Sequence, residues 1–133
     1  MAKWEVEDGL EYFDADARPQ TVTEMVREFA IKTEQKALAS LYENLIHEEY
    51  KEWYEETEDV VSELKELADL VYVIYGYANA KGFDLEEAVR RVHENNLGRC
   101  IQPDGTVKRR ADGKILKNPY YPKVTLGDLV CRT

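Results

Sequence analysis

Between Glu63 and Ala78 the chain reads ELKELADLVYVIYGYA. From Leu70 to Ala78 a helix through this stretch is apolar on nearly every side, so it must be covered on most of its circumference. Other helices have to surround it, from the same chain or from another copy. Gly82, just after Lys81, supplies the left-handed C-cap that ends it. Acidic residues cluster at 55–59, and a break is expected near Thr57–Asp59.

The neighbouring elements also read as helices. Thr21 with Glu24 makes a capping box, opening a first helix with Met25, Phe29 and Ile31 on one side and an end within 32–38. Ser40 with Glu43 makes a second, opening a helix that runs to about Glu56. Asp84 with Glu87 caps a fourth helix, DLEEAVRRVHENN, which ends before Gly98 and carries an apolar stripe of Leu85, Ala88, Val89 and Val92. Residues 1–20 show no steady period and read as an irregular arm. Beyond Gly98, PDG at 103–105 and ADGK at 111–114 are turn signals. The segments TVKRR and KILK are short enough for a small hairpin across Asp112-Gly113, and Pro119 and Pro122 flank an extended YY. The expected fold is all-α: one domain over residues 1–133, a bundle of four main helices with a short C-terminal β-hairpin and an extended tail. Residues 99–133 form that basic hairpin and tail.

The second helix contains a contradiction. With Leu45 at zero and 100° per residue, Leu41, Tyr42, Ile46 and Trp53 define an apolar face between about −40° and +100°. Glu49 falls at about +40° and Glu52 at about −20°, inside that face, with Glu48 at its edge at about −60°. A bare carboxylate in a core is costly unless it is paired, protonated or bound to metal. Helix 3 carries Glu66 and Asp69 three residues apart on one face. If helices 2 and 3 pack antiparallel, four carboxylates converge. Mutual repulsion pushes them toward protonation, and an oxygen-preferring divalent cation, Mg²⁺ by default, relieves it. Glu55, Glu56, Glu58, Glu63, Glu86 and Glu87 read instead as solvated salt-bridge faces. His47 and His93 make no Glu-x-x-His pair and read as ordinary helix residues.

Charge narrows the function classes. The net charge of −9 argues against nucleic acid as the main partner. Residues 99–133 carry eight basic and three acidic side chains, leaving the preceding 98 residues at −14. An acidic body with a basic tail suits a metal–phosphate complex held between them. No apolar run of about 18 residues is present to span a membrane, and no charged-then-apolar leader is visible. Cys100 and Cys131 form no CxxC pair and read as reduced thiols of a cytoplasmic protein.

EEYKE (Glu48–Glu52) followed by ELAD (Glu66–Asp69) resembles the EExxE…ExxD signature of the all-α nucleoside triphosphate pyrophosphatases. That superfamily includes MazG proteins, dimeric dUTPases and phosphoribosyl-ATP pyrophosphohydrolases. The string ELKELADLVYVIYGYANAKGFDLEEAVRRVHENN is similar to its MazG-like, phosphoribosyl-ATP pyrophosphohydrolase-like members, many from bacteriophages. NLGR and DGKILK resemble the family's N-x-x-K element and a later Gly-Lys-x-x-Lys stretch. The resemblance implies cleavage between the α and β phosphates of a (deoxy)nucleoside triphosphate, giving a monophosphate and pyrophosphate. It implies two or three Mg²⁺ ions, with Mn²⁺ as substitute, held by Glu49, Glu52, Glu66 and Asp69. Glu48 becomes a ligand or the base for the attacking water. Asn96 matches an asparagine near the phosphates or sugar. Arg99 stands where lysine is usual and would clamp phosphate with a bidentate fork. Lys114 and Lys117 would neutralise the departing pyrophosphate. Dimers, often paired into tetramers, are implied, with each site completed by a neighbour.

Base specificity is less defined. Gln35, Tyr42, Trp53, Asn79, Asn95, Tyr120 and Tyr121 are the aromatics and amides available to a base. The phage-like resemblance favours a nucleotide-pool role and a purine such as dGTP; phosphoribosyl-ATP is disfavoured by the tail. Two rivals stand beside the enzyme: a non-catalytic nucleotide or metal sensor on the same scaffold, and a plain interaction bundle. The second leaves Glu49 unexplained.

Overall fold

The computed structural model describes residues 18–56 and 59–130. Four helices follow in order: α1 (Val22–Lys32), α2 (Ala39–Glu55), α3 (Val60–Lys81) and α4 (Leu85–Cys100), with a 3₁₀ turn at Gly127–Leu129. Most of the N-terminal arm, Thr57, Glu58 and Cys131 lie outside the described residues.

Local chemistry explains most of the boundaries. Thr21 and Glu24 form the reciprocal capping box of α1, satisfying N–H groups that no helical carbonyl reaches. Asp59 and Asp84 accept backbone N–H bonds at the starts of α3 and α4. Gly82 ends α3 at φ 75°. The α2 start differs from expectation: its N-cap is Leu38 and no side chain caps it, so Ser40 lies inside the first turn. The α4 end differs too, because the helix runs through Gly98 to Cys100. Gly98 is there for space. A β-carbon on it would stand 2.1 Å from the Tyr121 hydroxyl, where the tail crosses the helix.

α2 lies along α3, and α1 packs on α3 beside it. α2 and α3 approach closely where Tyr42 lies on Gly76, and a β-carbon there would meet the ring at 2.2 Å. Tyr42, Ala78 and Val26 are the buried hydrophobic residues among those described. Val26 thus takes the α1 core position expected of Met25, Phe29 and Ile31, which are all exposed. α4 rests on α1 and on the 3₁₀ turn. Arg91 holds Asp128 through two bonds of 2.8 and 2.9 Å, and the Leu129 carbonyl accepts the Asp84 N–H. Glu86 accepts bonds from the Thr23 N–H and hydroxyl, so it caps α1 rather than facing solvent as expected.

The expected β-hairpin is absent: no strand or sheet forms among the described residues. Both turns exist, with Gly105 and Gly113 at φ 85° and 92°. Each closes on one isolated antiparallel bridge, Ile101 to Val107 and Arg109 to Ile115. Residues 103–120 are all exposed. With no face to bury, a two-stranded ladder gains nothing that would extend it.

Candidate metal centre

The antiparallel pairing of α2 and α3 builds the centre. Seven residues beyond Tyr42 on α2 stands Glu49; seven residues before Gly76 on α3 stands Asp69. Seven residues are two turns, which returns each side chain to its own face. The contact of Tyr42 with Gly76 therefore carries Glu49 to the level of Asp69, and Glu52 to that of Glu66. Glu49, Glu52 and Glu66 offer carboxylate oxygens that all lie within 4.8 Å of one another.

Glu49 and Glu66 are half-buried, and Glu52 is exposed at the mouth. One oxygen of Glu49 and one of Glu66 are buried without a hydrogen-bond partner. Burial, a hydrogen bond with Glu52, and the charges of Glu52, Asp69 and Glu66 push the Glu49 carboxyl up to about 7. The one cation pairing with these groups among the described residues is Lys65, 2.7 Å from Asp69 and 3.7 Å from Glu66. An all-oxygen cluster with two buried acceptors that receive no hydrogen bond suits a hard divalent cation.

Glu48 is exposed on α2 beside this cluster. Asn96, Lys114 and Lys117 are exposed and Arg99 is half-buried. No hydrogen bond or ion pair among the described residues joins any of these four to the acidic cluster. They belong to α4, which packs on α1 and on the 3₁₀ turn, and to the tail that follows it. The Arg99 Nε is buried without a partner, and its Nη1 reaches Asn95 at 3.4 Å. Lys65 is a site neighbour that the spacing of the carboxylates alone did not single out, although its place one residue before Glu66 and four before Asp69 on α3 was the available signal. His47 and His93 are exposed.

These features define a class: an α-helical protein with an acidic cluster at a helix–helix seam that could hold a divalent cation. The chain matches the family model of phosphoribosyl-ATP pyrophosphohydrolase over residues 15–96. That span is more than half of its length, and the chain belongs to this family, within the MazG-like nucleoside triphosphate pyrophosphohydrolase superfamily. Membership supports a general pyrophosphohydrolase-type activity. The match stops at Asn96, before the basic tail. No curated protein matches the sequence. No helix among the described residues is long and apolar enough to cross a membrane.

Proposed function

We propose that the protein hydrolyses a (deoxy)nucleoside triphosphate between the α and β phosphates, yielding a monophosphate and pyrophosphate in control of the nucleotide pool. The observation that carries this reading is the convergence of the Glu49, Glu52 and Glu66 carboxylates within 4.8 Å, with buried oxygens of Glu49 and Glu66 that accept no hydrogen bond. Glu49, Glu52, Glu66 and Asp69 are the ligands for two or three Mg²⁺ ions, Mn²⁺ substituting. Such ions lower the pKa of bound water and neutralise phosphate charge. Glu48 takes the proton of the attacking water. Lys65 orients Asp69 through its 2.7 Å ion pair.

Asn96, Arg99, Lys114 and Lys117 serve phosphate binding at the site of a neighbouring copy; within their own chain no hydrogen bond or ion pair among the described residues joins them to the carboxylates. A second copy is also what the apolar side of α3 calls for. Val60, Val61 and Leu64 are 77%, 72% and 67% exposed, and Leu67 and Val71 continue the stripe. A stripe of that size on a soluble protein marks an interface, and we read the assembly as a dimer or tetramer.

The test is pyrophosphate release from a panel of dNTPs and NTPs, with phosphoribosyl-ATP included, in Mg²⁺ or Mn²⁺ and beside Glu49→Gln. The expected result is release with dGTP preferred, reduced about a hundredfold or more in the variant. Metal binding with no turnover on any member of the panel would replace this reading with the nucleotide or metal sensor.

A further inference from the structure

We propose that the cavity between α1, α2 and α3 is the base-recognition pocket of this site, and that its lining selects guanine. This rests on the pyrophosphohydrolase reading and gives that site its specificity. The cavity has a volume of about 420 Å³, within the range of small-molecule sites. Tyr42 and Gly76 line it, and they stand on the same helical faces as Glu49 and Asp69. The separation along both helices is two turns, about 11 Å. That is the reach of a nucleoside from its α phosphate to the far edge of its base. A triphosphate at the carboxylates whose base is turned toward Tyr42 along the seam reaches this cavity.

The polar groups at the cavity are few and offer both acceptors and donors. Gln35 donates its Nε2 to the Tyr42 hydroxyl at 2.8 Å, which leaves Oε1 as an acceptor. Asn79 donates its Nδ2 to the Thr23 carbonyl at 3.3 Å, which leaves Oδ1. Glu34 adds a carboxylate and Arg27 a donor fork. Guanine presents donors on an adjacent ring nitrogen and amino group, and acceptors at O6 and N7 that match an arginine. Adenine, cytosine and thymine each lack that adjacent donor pair. Glu34 is also held at φ 56°, a left-handed conformation that costs a non-glycine residue energy. Its turn is what brings residues 34 and 35 to the cavity; strain of this kind gathers at ligand sites.

Two variants test this: Gln35→Ala, and Glu34→Gly, which relieves the strained backbone and so folds at least as well as the parent. Pyrophosphate release is measured on dGTP, dATP, dCTP and dTTP, and binding of dGMP and dAMP is followed by amide NMR shifts. The expected outcome is a dGTP KM raised about tenfold in each variant, with kcat nearly unchanged and KM for the other nucleotides barely altered. dGMP should shift the amides of Gln35 and Asn79, and dAMP should not. Unchanged dGTP KM in both variants, or a parent preference for another base, would overturn the proposal. If no triphosphate is turned over but dGMP still shifts these amides, the pocket stands and the hydrolase reading falls.

Discussion

Glu49 is where the electrostatics of the site concentrate. Its carboxyl is raised from the ordinary 4.5 to about 7, first by burial and then by Glu52 and the other carboxylates. Between those values the folded protein holds a proton that the unfolded chain has lost. Stability from this group is therefore complete below pH 4.5 and declines as pH rises through 7. Glu24 and Glu87 are lowered to about 2 by their arginine partners, so their contributions change only at more acid pH. Metal-free protein in a chelator should show a falling urea midpoint from pH 5 to pH 8, and Glu49→Gln should flatten that slope. An equal slope in the variant would assign the effect elsewhere. The two crowded glycines differ in a way that can be measured. Gly76→Ala drives a β-carbon into the buried Tyr42 ring and should cost about 1–3 kcal/mol. Gly98→Ala meets Tyr121, which is 37% exposed and can swing outward. There the midpoint should hardly move, while protease cleavage near residues 118–122 accelerates.

At the scale of elements, the connection from α1 to α2 is the instructive one. Thr33 caps α1, and the chain then turns through Glu34 at φ 56°, with the Gln35 N–H returning to the Ala30 carbonyl. Glycine is the residue suited to that turn. Glu34→Gly is accordingly expected to stabilise the fold by about 0.5–1 kcal/mol, after allowance for the greater unfolded-state freedom of glycine. Thermal unfolding checks it, and a lower midpoint would show that the Glu34 side chain contributes more than its backbone costs. The capping box at Thr21 and the glycine stop at Gly82 were legible because each is a contact of a few residues in sequence. The start of α2 was not, because Leu38 makes no side-chain bond there. Gly98 read as a helix end, and only the passage of Tyr121 over it explains a glycine inside α4.

The whole molecule leaves much apolar surface uncovered. Val60, Val61 and Leu64 face outward along α3, and Phe29 and Tyr72 form an exposed edge-to-face ring pair 5.8 Å apart. Sedimentation equilibrium should return a multiple of the 15.5 kDa chain mass. Leu64→Glu should give monomers that retain helical circular dichroism but lose turnover, because the basic groups of α4 and the tail no longer reach a neighbour's carboxylates. A monomeric parent, or an active monomeric variant, would remove the shared-site reading.

The sequence by itself determined the helices and the anomaly on them. Helical periodicity acts over a few residues, so the placement of Glu49 among Leu45, Ile46 and Trp53 follows from spacing alone. So does the common face of Glu66 and Asp69. Tertiary structure decided the register that brings the two faces together, because that depends on Tyr42 finding the bare backbone of Gly76 across two helices. It also decided that the tail makes two turns and no hairpin. Turn residues are chosen locally, but a ladder needs a surface to bury, and α4 and the tail provide none between residues 103 and 120.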